Sequence, residues 1–187
     1  MKKLFIAAVL LAGVSLTNAQ DMKFGAKAGL NISSLTGDVS DLKSKIGFQV
    51  GAFGEFKVSD KFAIQPELLF TSLGAKSDSS PAETLSLGYI AIPVMAKYFV
   101  SDKFALELGP QLGFLISAKS KFDGNSEDVK DSFNSTDFGM NLGAGYDVAE
   151  NINLGLRYTF GLSNVLKDSG TFKAQNSNFA LALGYKF

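Results

Sequence analysis

Eight segments of this chain alternate apolar and polar residues with a period of two, and no charge falls in the apolar phase of any of them. They are 22–32, 47–57, 62–70, 89–99, 104–114, 138–148, 152–160 and 179–187. Side chains on a strand point to opposite faces in turn. Each segment therefore predicts a strand with one wall free of charge. The charged residues of these segments all take the other phase: Lys23, Lys27, Glu55, Lys57, Glu67, Lys97, Glu107, Asp147, Arg157 and Lys186. Many glycines share it. A lipid-facing Lys or Arg costs about 2–4 kcal/mol at the bilayer midplane, so a wall that meets lipid excludes charge. Segments of 9–11 residues also suit tilted strands that cross a bilayer.

A soluble barrel of lipocalin type would show the same alternation turned inside out. The glycines argue against it. Strand glycine is costly without a packing reason, and inside a narrow barrel small residues make room for long charged ones. Aromatics mark both ends of the apolar phase, as Phe62 and Phe70, Phe104 and Phe114, Phe138 and Tyr146, and Phe179 and Phe187 do. These positions suit two interfacial girdles. The expected fold is all-β: an eight-stranded antiparallel up-and-down transmembrane β-barrel.

The connections alternate. Strands meet in short turns near Asp60, Asp102 and Glu150, and in long polar stretches over 33–46, 74–88, 117–137 and 161–177. Short periplasmic turns and long outer loops are the asymmetry of outer-membrane barrels. With eight strands, both termini are then expected on the periplasmic side of the outer membrane. The last strand ends on Tyr185 and Phe187, in the apolar phase, and suits a C-terminal signal for the barrel-assembly machinery. At the other end, Lys2, Lys3, an apolar run over 4–14 and Thr17-Asn18-Ala19 read as a signal peptide over 1–19. The barrel domain is then 20–187. Pro66, Pro93 and Pro110 fall inside expected strands, where each lacks a ladder donor. Bulges are expected there.

The chain has no histidine, cysteine or tryptophan. That removes the usual general base, the thiol nucleophile and the commonest metal ligand. No catalytic, cofactor-binding or metal residues are assigned, and no enzyme activity is expected. Asp123, Glu127, Asp128 and Asp131 do not match a calcium-loop spacing and read as a solvated acidic loop. The balance of 18 basic and 18 acidic residues gives no reason to expect nucleic acid. The expected lumen network is Lys27, Glu55, Lys57, Glu67, Lys97, Glu107, Asp147 and Arg157. Arg157, the one arginine of the chain, has two readings. It is either a constriction for anions or a fork clamped by Glu67, Glu107 or Asp147. An eight-stranded interior is just wide enough for side chains, which favours the clamp.

Gln65-Pro-Glu-Leu-Leu-Phe70 and Tyr89-Ile-Ala-Ile-Pro-Val-Met-Ala-Lys-Tyr98 resemble paired motifs of the PorT-like outer-membrane β-barrel family of Bacteroidetes. The strand pattern extends the resemblance over nearly all of the chain after the signal. Ala91 stands where an acidic residue is common in that family. The resemblance implies an eight-stranded outer-membrane barrel; the family's namesake takes part in protein secretion. The first reading is therefore a small non-enzymatic barrel with a filled lumen, whose surface loops make contacts. The alternative is a porin-like transport or secretion-accessory barrel. Expected partners are outer-membrane lipid, the assembly machinery and envelope or secretion-system proteins.

Overall fold

The computed structural model describes residues 22–39, 42–77 and 83–187. The signal-peptide expectation lies outside them. The described chain forms nine strands: β1 (Met22–Gly37), β2 (Leu42–Ser59), β3 (Phe62–Ser77), β4 (Thr84–Ser101), β5 (Phe104–Phe122), β6 (Asn125–Asp128), β7 (Thr136–Ala149), β8 (Ile152–Gly161) and β9 (Ala174–Lys186). All pairings are antiparallel, in the order β4-β3-β2-β1-β9-β8-β7-β5, and β4 pairs with β5 to close the ring. Eight strands thus make the wall. The short β6 folds back on β5 through Asp123-Gly124, whose positive φ values suit a tight hairpin. One 3-10 turn, Lys130–Ser132, follows it.

The apolar phase faces outward. Leu30, Phe48, Leu68, Leu108, Leu142, Leu156 and Leu181 are all exposed on the wall. Aromatic side chains pair across neighbouring strands at both ends of this belt. Phe62 meets Tyr98 at 5.0 Å near the short turns, and Phe48 meets Phe70 at 5.6 Å toward the long connections. Such placement holds amphipathic rings at the two edges of an apolar layer.

The strands run further than the alternation predicted. The first long connection shrinks to 38–41 and the second to 78–83, because β1 to β5 continue beyond the belt. There the pattern inverts. Leu35, Leu73, Leu87 and Leu115 point inward and are buried, while Thr36, Lys76 and Lys119 are exposed. A strand leaving lipid for water must turn its apolar side chains from the outside to the inside. The inversion hid these extensions from a reading that followed one phase.

The proline expectation needs correction. No register shift occurs at Pro66, Pro93 or Pro110. Pro66 pairs with Val94 and Leu69 with Ala91 in one unbroken register. Pro93 with Gln111 and Ala96 with Leu108 likewise share one register, and so do Pro110 with Met140 and its neighbours. The shifts lie elsewhere, as between Gly88 and Tyr89 and beside the short turns. The three prolines gather on neighbouring strands β3, β4 and β5. Their missing donors are thus confined to one patch of wall, and the ladder resumes unchanged on either side.

Candidate functional site

Each wall strand contributes one ionised side chain to a layer toward the short turns: Lys27, Glu55, Glu67, Lys97, Glu107, Asp147, Arg157 and Lys186. The set is four positive and four negative, so the charge of the layer cancels. Arg157 is at its centre. Its two Nη atoms donate to the two carboxylate oxygens of Glu67, each at 2.9 Å. Nη2 also donates to Glu107 Oε2 at 2.9 Å. This is the bidentate fork that suits a planar guanidinium. The clamp reading of Arg157 therefore describes the structure, with Glu67 and Glu107 as the partners.

Glu67 is the hub of the layer. Its Oε1 also accepts from Lys27 Nζ and from Gln65 Nε2, both at 2.7 Å. Toward the short turns, Lys97 Nζ donates to Glu55 Oε2 at 2.6 Å and to Gln65 Oε1 at 3.1 Å. Lys186 Nζ reaches both oxygens of Asp147, at 3.0 and 2.9 Å, and lies 3.7 Å from Glu55. Asn153 Nδ2 donates to Asp147 Oδ1 at 2.8 Å. The charges are buried yet mutually satisfied, the condition for a buried ionic cluster to persist.

One residue departs from the expected network, and one joins it. Lys57 is exposed at the short-turn mouth, its ammonium 5.9 Å from the Phe99 ring. It sits at the strand end, where the lumen opens to solvent and burial no longer demands a carboxylate. Phe53 shares the lumen phase with the charges and is buried, 5.5 Å from Lys27 Nζ. Gly25 clears the space for its ring, since a Cβ there would press on it. Lys186, carried among the aromatics of the last strand, belongs to the network. Its lumen phase was the available signal.

Beyond Arg157 the filling changes from ion pairs to amides and hydroxyls, with the Asp137 carboxylate among them. Asn31 Nδ2 donates to Thr71 Oγ1 at 2.8 Å, and Thr159 Oγ1 donates to Asn141 Oδ1 at 2.7 Å. Asn176 Nδ2 donates to Asp137 Oδ2 at 2.7 Å. A cavity of about 20 Å³ lies here, lined by Arg157, Gln49, Gln111, Asn176 and Asn178 among others. It is the size of a single water molecule.

Above this layer an apolar core seals the long-connection end. Leu35, Leu73, Ala75, Leu87, Tyr89, Leu115 and Ala118 from the strand extensions close on Phe133, Val165 and Ala174. Phe133 and Leu166 form a backbone bridge between the two longest connections. Asn134 fastens them, with Nδ2 donating to the carbonyls of Asn164 and Leu166 at 2.9 and 3.0 Å. The opposite mouth is open. A cavity of about 400 Å³ there is lined by Lys23, Lys57, Lys61, Asp60 and Asp102, and it ends on Glu55, Asp147 and Lys186.

A closed ring of eight tilted strands, a charge-free belt outside and a polar filling inside define a small outer-membrane β-barrel. The chain belongs to the outer membrane protein beta-barrel domain family, whose model matches residues 18–167. Among solved structures it is similar to Neisserial surface protein A, with 17% identity, 90% of this chain and 100% of that chain covered, and a TM-score of 0.64. It is also similar to Ail, the attachment invasion locus protein of Yersinia pestis, with 17% identity, 90% and 100% coverage, and a TM-score of 0.58. These likenesses concern the fold. A comparison with curated proteins finds no match.

Proposed function

We propose that this outer-membrane protein is a closed, non-enzymatic anchor whose long-connection end faces outward and makes contacts at the cell surface. The observation that carries the reading is the double filling of the lumen. Ions block it near the short turns and an apolar core blocks it at the far end. A filled lumen leaves the outer rim as the surface available to partners. The four carboxylates of the ionic layer each hold a basic partner.

The motifs that resemble those of PorT-like barrels fit this reading. Their inward residues Gln65, Glu67 and Lys97 build the ionic layer, and Tyr89 belongs to the apolar core. Tyr185 and Phe187 are exposed on the outside of β9, which supports their use by the assembly machinery. Orientation is tested on intact cells, since the chain lacks cysteine. Asp168→Cys in a long connection is expected to react with a membrane-impermeant maleimide, and Asp102→Cys in a short turn is not. The reverse labelling overturns the reading.

A further inference from the structure

The amide layer holds one carboxylate that the ionic layer does not serve. Asp137, at the start of β7, is half-buried, and each of its oxygens accepts from a neutral donor. Ser163 Oγ donates to Oδ1 and Asn176 Nδ2 to Oδ2, both at 2.7 Å. No basic side chain among the described residues pairs with it. The nearest layer of charge already cancels, and its Arg157 is committed to Glu67 and Glu107. Lys45, buried in the same half, stands on β2, four strands away around the ring. Its Nζ donates there to Ser72 Oγ and the Leu73 carbonyl.

Beside Asp137, β9 presents two acceptors that have no donor. Asn176 and Asn178 are 3% and 5% exposed, and both line the cavity of about 20 Å³. The Oδ1 of each accepts no hydrogen bond among the described residues. Neither amide can turn over to change this. Asn176 Nδ2 is held by Asp137 Oδ2, and an ionised carboxylate only accepts. Asn178 Nδ2 donates to Asn31 Oδ1 at 3.3 Å. Asn31 is itself fixed, because its Nδ2 donates to Thr71 Oγ1 and to the carbonyls of Phe48 and Ser72. Gly139 and Gly161 line the same cavity and put no side chain into it. Buried acceptors without donors are costly, and here two of them lie beside a carboxylate without a counter-charge.

The chemistry of the ligand follows. Oxygen donors alone suit a hard cation. A cavity the size of one water excludes a hydrated or an organic ion. One carboxylate balances one positive charge, and no three acidic side chains gather among the described residues as at a divalent site. A water would donate to both amide oxygens but leave the carboxylate uncompensated. We propose that this pocket binds a dehydrated monovalent cation, sodium or potassium, with Asn176 Oδ1, Asn178 Oδ1 and the Asp137 carboxylate as ligands. Bound there, the ion fastens β7 to β9 beneath the apolar core.

The test unfolds the refolded full barrel with urea in a neutral detergent, at one ionic strength, in sodium chloride, potassium chloride or N-methylglucamine chloride. The last supplies a cation too large for the cavity. The wild-type midpoint is expected to be about 1 M higher in at least one alkali chloride than in N-methylglucamine chloride, because a ligand held by the folded state alone stabilises it. D137N is expected to lose the difference, and D131N, on the exposed 3-10 turn, to keep it. Heat-modifiable mobility on a gel confirms that each variant is folded. Wild-type crystals soaked in a thallium(I) salt give a second reading that needs no variant. An anomalous peak is expected in the cavity between Asn176 and Asn178. Equal midpoints in the three salts, a difference that survives in folded D137N, or a cavity holding water without thallium overturns the proposal. None of these readings depends on which end of the barrel faces outward.

Discussion

The two halves of the lumen are filled by opposite chemistries. The half near the short turns holds eight ionised side chains around Glu67 and Arg157. The half under the long connections holds Leu35, Leu73, Leu87, Leu115, Phe133 and Val165. The difference follows from what lies outside each half. Within the belt the outer wall is apolar, and in a two-residue period the inner wall takes the polar residues. Those residues must then satisfy one another, because an unpaired buried charge is far more costly than an unpaired exposed one. Beyond the belt the outer wall meets water, and the apolar residues turn inward to a conventional core. One barrel therefore contains a membrane-protein interior and a soluble-protein interior, joined through a layer of amides.

The comparison breaks most sharply at Glu67. Replacing it with Ala leaves Arg157 and Lys27 buried without their main carboxylate. The expected loss is about 3–5 kcal/mol in urea unfolding of the refolded barrel. Loss below 1 kcal/mol would mean that water reaches the layer. In the other half, Leu87 is fully buried. Leu87→Ala is expected to cost about 3 kcal/mol by the same measurement, from lost burial plus a cavity.

Combining the two changes sharpens the contrast. Glu67 and Leu87 share no hydrogen-bond or core partner among the described residues. Their effects should add to within about 0.5 kcal/mol. A larger coupling would show that the halves form one cooperative unit. The smallest effect is expected at the rim. Lys57→Ala should leave the unfolding midpoint unchanged, whereas Lys97→Ala, which removes the nearer of the two lysines at Glu55, should lower it clearly.

The belt half was legible in the sequence because one rule covers it. Charges in a single phase, against apolar residues in the other, fix strand count and facing, and the narrow interior they imply favours the clamp on Arg157. The partners of that clamp were narrowed to three carboxylates but not chosen, since register across β3, β5 and β8 decides which of them Arg157 meets. Lys57 was misplaced because phase says nothing of height along the lumen. The other half was illegible for a related reason. Leu73 and Leu87 lie in the phase that carries charge elsewhere, and polar neighbours made their stretches resemble loops. Phe133 and Val165 come from connections with no period at all, and their meeting depends on tertiary closure.

The central claim is that the lumen is closed twice over, and single-channel recording in a planar bilayer tests it most directly. Wild type, Arg157→Ala and Phe133→Ala should each show a flat baseline, because either filling alone blocks the path. Steady openings in wild type would contradict the account, and a change of their ion selectivity in Arg157→Ala would make Arg157 a pore residue instead.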